Sequence, residues 1–94
     1  MFSVHYTPKA VKALRKLDRP TRALLLSWIE KNLVGCSDPR SHGRALTAEF
    51  AGLWWYRIGD YRLIAEVSDA TITILILNVG HRKDIYEALG SRGF

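Results

Sequence analysis

The residue types that could do chemistry in this chain gather in its second half. Arg57 and Arg62 flank a predicted turn, and His81, Arg82 and Tyr86 follow the last predicted strand. A guanidinium group keeps its charge at all physiological pH values and binds phosphate through two parallel hydrogen bonds. Imidazole titrates near neutral pH and can transfer a proton beside a phosphate. If these side chains converge on one face of a sheet, they predict a site that binds a phosphodiester and has the groups needed to break it.

Three predicted strands position these side chains, at residues 54–58, 61–67 and 71–79. The first two are joined by Gly-Asp, which has the residue types of a tight hairpin turn. The third strand is apolar on both faces, which predicts a position inside the sheet, and Gly80 is expected to end it. His81 then follows a strand end, from which it can reach over a sheet face, although a plain surface histidine has the same pattern.

Alternation of side chains along a strand sorts the predicted hairpin into two faces. Trp55, Arg57 and Arg62 fall on the less apolar face, which a helix pair on the other side would leave open. There the arginines can hold phosphate and the indole can stack on a base. Equally, both arginines can pair with Glu66 or Asp60 on a solvated sheet. The pattern alone does not separate these two interpretations.

The first half of the chain predicts a strand and a helical hairpin. Residues 2–6 alternate weakly as a strand, and Thr7-Pro8 then has the residue types of a helix N-cap and first turn. A second helix is predicted over residues 20–33, with Asp18 as its cap. The connection that follows is looser, and its residues 45–50 show no clear pattern.

The predicted order of elements is β-α-α-β-β-β, with a short helix or turn over residues 84–89 after the last strand. This order defines an α+β fold: a small, mostly antiparallel sheet with the N-terminal helical hairpin packed on one face. A chain of 94 residues is expected to form one domain, over residues 1–94.

The composition favours an anionic partner. The net charge is +5, and residues 1–50 hold nine of the fourteen cations against four acids. Cys36 is the single cysteine, which excludes an internal disulfide and fits a reducing compartment. No signal peptide or membrane span is recognisable, so a cytoplasmic location away from membranes is expected. The three histidines show no metal-ligand spacing, so neither a metal nor another cofactor is expected.

Two runs in the second half resemble a known toxin family. Gly-Leu-Trp-Trp-Tyr-Arg-Ile-Gly-Asp-Tyr-Arg-Leu-Ile at 52–64 and Asn-Val-Gly-His-Arg-Lys-Asp-Ile-Tyr at 78–86 are similar to the RelE branch of the RelE/ParE toxin superfamily. The resemblance implies a toxin of a bacterial or archaeal type II toxin–antitoxin pair. It further implies a ribosome-dependent endoribonuclease that cleaves mRNA in the A site without a metal. In that reaction the ribose 2′-OH attacks the adjacent phosphate, leaving a cyclic phosphate and a free 5′-OH.

The resemblance also implies roles for individual residues. Arg62 falls on the strand arginine that stabilises the pentavalent phosphorane, and Arg82 on the arginine that neutralises the phosphate or the leaving oxygen. Tyr86 matches the C-terminal tyrosine that helps proton transfer. His81 is the candidate general base or acid, because some members of the family use a histidine for this purpose. The expected RNA-binding residues are Arg57, Trp55, Arg44 and Lys83.

Two positions depart from the family pattern. Trp55 stands where many RelE-like toxins hold lysine or arginine, and Leu53 stands where the best-known branch has a catalytic lysine. Arg44, or another cation from the long connection, is the candidate replacement. The departure favours a second hypothesis, a ParE-like toxin that inhibits DNA gyrase by binding and catalyses nothing. A third hypothesis is a non-catalytic module that represses transcription with its antitoxin. The partners that the resemblance implies are a RelB-like antitoxin, the ribosome and mRNA, with operator DNA contacted through the antitoxin.

Overall fold

The computed structural model describes residues 1–47 and 50–85, which form a five-stranded sheet and helices. In chain order the elements are β1 (Ser3–Tyr6), α1 (Pro8–Lys16), α2 (Arg19–Asn32), a 3-10 helix (Pro39–His42), β2 (Arg44–Ala45), β3 (Leu53–Ile58), β4 (Tyr61–Ser68) and β5 (Thr73–His81). Residues 82–85 are helical. The strands lie side by side as β1-β5-β4-β3-β2, with β1 parallel to β5 and the other neighbouring pairs antiparallel. The predicted α+β fold with a mostly antiparallel sheet is confirmed.

Both predicted helix caps are confirmed. Thr7 Oγ1 accepts a hydrogen bond from the Ala10 amide at 3.1 Å, and the Asp18 carboxylate accepts one from the Thr21 amide at 3.2 Å. These bonds satisfy backbone donors that have no partner within a helix. The Thr7 hydroxyl also donates to the Leu77 carbonyl oxygen at 2.9 Å, which fastens the start of α1 to β5. No helix among the described residues is long and apolar enough to cross a membrane.

The main core lies between the two helices and one face of the sheet. Leu14 from α1 and Leu25 and Ile29 from α2 pack against residues of β3, β4 and β5. The strand residues with no exposed surface on this face are Tyr56, Leu63, Ala65, Ile74 and Ile76. Burying a large apolar side chain contributes roughly 1.5–3 kcal/mol, so this layer supplies much of the stability of the fold. The helical hairpin covers one face of the sheet, as predicted.

The opposite face of the sheet, expected to be open, is partly covered. Ile64 and Ile85 are buried there, in a cluster that also contains Leu46, Phe50, Leu53, Trp55 and Leu77. The segment after β2 and the helical residues 82–85 supply the cover. Trp55 is therefore half-buried and packs against this apolar cluster.

The end of β5 differs from the prediction. The strand continues through Gly80, which was expected to end it, and stops at His81. His81 is therefore a strand residue, with a side-chain direction that the sheet fixes. The interior position of β5, between β1 and β4, is as predicted.

A bulge in β5 reverses the faces that its last residues occupy. Ile64 pairs with Asn78, but the next residue of β4, Ala65, pairs with Ile76. Leu77 is thus an extra residue on β5, and the alternation of side chains changes phase beyond it. The β5 residues in the main core are at even positions before the bulge and at an odd position after it.

Candidate functional site

An open cavity of about 290 Å³ lies beside the edge strand β2, on the sheet face opposite the helices. Its lining includes Arg44 from β2, Trp55 and Arg57 from β3, and Arg62 from β4. The other lining residues are Ser41, His42 and Gly43, at the end of the 3-10 helix. The structure thus brings together four residues that the sequence singled out as site residues.

Three arginines line this cavity, and none of its seven described lining residues is acidic. Arg57 and Arg62 are direct cross-strand partners. Like charges opposite each other on neighbouring strands destabilise a sheet. In the described part of the chain neither arginine forms an ion pair with Glu66 or Asp60, so the alternative of a salt-bridged, solvated sheet is wrong. An anion bound between the two guanidinium groups would offset their repulsion.

Arg62 is held in position without any ligand. The residue is only 8% exposed, and its Nη1 donates to the carbonyl oxygens of Gly59 and Tyr61 at 3.0 Å each. Gly59 has φ of +58°, a left-handed conformation that glycine adopts without strain, so the predicted hairpin turn carries one of the carbonyls that orient this arginine. Arginine has five N–H donors, and those not used here are left for a ligand in the cavity. Arg57, by contrast, is exposed.

The segment that carries Gly43 is pinned against β3. An ideal Cβ on Gly43 would lie 2.6 Å from the Trp55 carbonyl oxygen and 2.8 Å from two carbons of the Tyr56 ring, so only glycine fits this approach. The buried Tyr56 hydroxyl donates to the Pro39 carbonyl oxygen at 3.0 Å. Burial raises the pKa of Tyr56 to about 12, so the phenol keeps its proton and remains a donor. These contacts fix the 3-10 helix at the rim of the cavity.

His81 is not brought to the cavity. Its ring packs edge-on against Tyr61 with centroids 5.5 Å apart, and its Nδ1 accepts a hydrogen bond from the Lys83 amide at 3.3 Å. His81 and Tyr61 are cross-strand partners, which share a face, and Tyr61 packs against the main core. His81 lies away from the cavity because the bulge at Leu77 turns its side chain toward the helix face of the sheet, while Arg62 lies on the opposite face.

The remaining predicted residues lie near the hairpin turn or outside the described residues. The Arg82 amide donates to the Asp60 carbonyl oxygen at 2.7 Å, and Arg82 Nε lies 3.8 Å from Asp60 Oδ1. Arg82 is therefore tied to the same turn as Arg62, although it does not line the cavity. Lys83 is exposed at the next position. Tyr86 lies outside the described residues, and its role stays a prediction.

Ser41 and His42 are cavity residues that the sequence patterns did not reveal. His42 is exposed, and its ring meets Trp28 edge-on with 6.4 Å between ring centroids. The sequence holds a signal for the position of this segment, because Pro39 begins the 3-10 helix and Gly43 permits its close approach to β3. Within the described ranges no three His, Cys, Asp or Glu side chains are placed to hold a metal ion. The cavity thus combines an imidazole with three arginines, a set suited to anion binding and proton transfer.

Solved toxin–antitoxin complexes contain chains of the same fold. In the RelBE2 complex from Mycobacterium tuberculosis the matching chain is 31% identical with a TM-score of 0.79, and the match covers 85% of this chain and 96% of that one. In the archaeal RelE–RelB complex from Pyrococcus horikoshii the identity is 27% and the TM-score 0.66, over 86% and 94% of the two chains.

Sequence comparison agrees with the structural likeness. Residues 4–86 match the family described as the ParE toxin of type II toxin–antitoxin systems, parDE. Toxin RelG from Mycobacterium tuberculosis is 34% identical over 85 residues, which are 90% of this chain and 95% of that protein. This chain therefore belongs to the RelE/ParE superfamily of type II toxins, in its RelE-like branch.

Proposed function

We propose that this toxin is a ribosome-dependent endoribonuclease that cuts mRNA in the A site. The observation that carries the proposal is the convergence of Arg44, Arg57 and Arg62 with Trp55 on one cavity that has no acid among its described lining residues. The proposed reaction is attack of a ribose 2′-OH on the adjacent phosphate, which yields a cyclic phosphate and a free 5′-OH. No metal or other cofactor takes part in it.

The cavity side chains have distinct parts in this reaction. Arg62 is buried and already oriented, so it stabilises the charge that develops on the phosphorane; removing one such fixed donor costs roughly 10²- to 10³-fold in rate. Arg57 and Arg44 are exposed and bind the phosphates of the incoming strand. Trp55 stacks on a base, which is worth about 1–3 kcal/mol.

Arg44 supplies the cation that the family pattern places at position 55. It is the cross-strand partner of Trp55, so the two side chains lie next to each other on one face of the sheet. A guanidinium group on β2 thus stands beside the indole on β3. This pairing supports a catalytic toxin despite the loss of lysine or arginine from β3.

Residues at the hairpin turn and beyond complete the proposed site. Arg82 neutralises the leaving 5′-oxygen, since its backbone is tied to the turn that also orients Arg62. Lys83 binds the RNA backbone, and Tyr86 takes part in proton transfer. Both of these roles rest on the family resemblance.

We also propose a RelB-like antitoxin as the protein partner. The related toxin from Pyrococcus horikoshii was solved in complex with RelB, and that from Mycobacterium tuberculosis in a toxin–antitoxin complex. This chain carries a net charge of +5, which suits an acidic antitoxin segment. In this proposal the toxin acts in the cytoplasm, and operator DNA is contacted through the antitoxin.

Primer extension on mRNA in a purified translation system tests the proposed activity. Wild-type toxin is expected to give cuts at A-site codons, and Arg62→Ala and Arg82→Ala to abolish them. The matched control is Arg19→Ala, an arginine exposed on α2 outside the cavity, which should cleave like wild type. Full cleavage by a folded Arg62→Ala protein would refute the proposal.

Inhibition of DNA gyrase is the second candidate function, because the family that matches residues 4–86 is described by the ParE toxin. A supercoiling assay with purified gyrase separates the two candidates. The first predicts mRNA cleavage and unchanged supercoiling; the second predicts blocked supercoiling and intact mRNA.

A further inference from the structure

We propose that His42, and not His81, is the general base that takes the proton of the attacking 2′-OH. The inference rests on the proposed cleavage reaction and assigns to it a residue that no sequence pattern indicated. His42 lines the cavity together with the three arginines, and the residue is exposed to solvent.

Elimination among the described lining residues leads to this imidazole. Arginine is not deprotonated in proteins, so the three guanidinium groups cannot accept a proton. Ser41 and Trp55 do not titrate in the physiological range. His42 is the one described lining residue with an imidazole, the side chain that most often acts as a general base in enzymes.

The position of His42 is set by its neighbours. The adjacent Gly43 lies against the Trp55 carbonyl oxygen, and the 3-10 helix is tied to β3 through Tyr56 and Pro39. The His42 ring also packs edge-on against Trp28. A base held on a short, fixed turn keeps its reach to the substrate, which proton transfer requires.

Charged groups face His42 from several elements. On the cavity side they are the guanidinium groups of Arg44, Arg57 and Arg62. On the other side of the 3-10 helix, His42 also lines a second, more open cleft with Lys31 of α2 and with Asp38 and Cys36 of the preceding loop. The reacting phosphate would enter on the arginine side, where all three neighbouring charges attract it.

The proposed step balances in atoms and charge. The 2′-oxygen forms a bond to phosphorus while its proton moves to a ring nitrogen of His42. The bond between phosphorus and the 5′-oxygen then breaks, and the leaving oxygen takes a proton from water to become the free 5′-OH. The protonated His42 returns its proton to the hydroxide that remains, which restores the free base. The products are a 2′,3′-cyclic phosphate and a shortened strand, with no oxidation or reduction.

His81 cannot serve this cavity in the observed fold. Its ring lies with Tyr61 on the helix face, whereas Arg62 and Arg57 occupy the other face of the sheet. Moving His81 across would require removal of the β5 bulge and a new register for the residues beyond Leu77.

Single-turnover cleavage on programmed ribosomes at several pH values tests the assignment, with His42→Gln as the variant and His81→Gln as its matched control. The wild-type rate should rise with pH through one ionisation and then level off, because a general base acts only in its deprotonated form. His42→Gln should be slower by roughly 10²- to 10⁴-fold and should lose that ionisation. His81→Gln should keep the rate within about threefold and retain the pH profile. Affinity for ribosomes carrying an mRNA with a 2′-deoxy nucleotide at the cut, which cannot be cleaved, should be the same for all three proteins.

Several results would overturn the assignment. A pH profile that survives in His42→Gln, or disappears in His81→Gln, places the base elsewhere. Loss of ribosome affinity that matches the loss of rate makes His42 a binding residue. A substrate with a bridging 5′-sulfur needs no proton on its leaving group, so rescue of His42→Gln by this substrate would make His42 the acid and not the base. Wild-type toxin that cleaves no mRNA at all would instead refute the proposed function itself.

Discussion

Replacing Gly43 with alanine tests whether the rim of the cavity is fixed by close approach to β3. The added methyl carbon would lie 2.6 Å from the Trp55 carbonyl oxygen and 2.8 Å from the Tyr56 ring, where ordinary contact begins at 3.4 Å. The segment must therefore move away from β3 by about 0.6–0.8 Å. Both obstacles are part of the central structure: one is backbone, and the Tyr56 ring is fully buried.

Overpacking of this kind costs roughly 1–3 kcal/mol in free energy of unfolding. With a urea m value of about 1–3 kcal/mol/M, the unfolding midpoint of Gly43→Ala should fall by about 1 M. The displaced segment carries His42 and Arg44, so mRNA cleavage should fall together with stability. β2 is only two residues long and has little pairing with which to resist the displacement.

Gly80→Ala is the matched control for this measurement. The nearest described atoms to an ideal Cβ on Gly80 belong to Ile85 and lie at 3.4 Å and beyond, which is ordinary contact. Its midpoint should therefore shift by much less than that of Gly43→Ala. Equal midpoints for Gly43→Ala and wild type, with unchanged cleavage, would refute the claim that only glycine fits at position 43.

Three further perturbations probe the surroundings of the site. Trp55→Leu keeps an apolar side chain in the cluster around Ile64 and Ile85 but removes the stacking ring. Cleavage should therefore fall about 5- to 150-fold, while antitoxin affinity, measured by calorimetry, stays unchanged. Stability should decline as pH rises from about 10 through 12, because the folded state keeps Tyr56 neutral with a raised pKa. Tyr56→Phe should weaken this alkaline decline, and the part that remains is expected from Tyr6, whose pKa burial also raises; the variant also leaves the buried Pro39 carbonyl without its donor. Asp69 accepts hydrogen bonds from Arg40 at 3.0 and 2.9 Å, which lower the pKa of its carboxyl group. The ion pair therefore stabilises the fold above about pH 4, and this stabilisation is lost in acid. Asp69→Asn should remove the loss of stability in acid, and the difference in stability from wild type should vanish in 1 M salt.

The hairpin and the shared face of its two arginines could be predicted, because polar and apolar residues alternate regularly in these two strands. In β3 and β4 polar and apolar residues alternate around the Gly59 turn, so parity alone assigned Arg57 and Arg62 to one face. The helix caps were readable for a similar reason, since Thr7 and Asp18 are residue types with a local hydrogen-bonding role.

The bulge in β5 could not be read from the sequence. Residues 72–77 are apolar at five of six positions, so an extra residue among them leaves no break in an alternating pattern. That one residue sets the direction of the His81 side chain, which the sequence analysis had left undetermined beyond a strand end. The role of Gly43 could not be predicted either, because it depends on contact with the Tyr56 ring, which forms only in the folded sheet.

The parallel pairing of β1 with β5 also constrains when the toxin can fold during its synthesis. It joins Ser3 to Thr73, so the first strand of the sheet pairs with the last. Such non-local pairings form late in folding, and β5 is also the strand against which the start of α1 is fastened. During synthesis the layer beneath the cavity therefore cannot assemble until β5 has emerged. Under the proposed function, an unfinished toxin is harmless to the ribosome that is translating it.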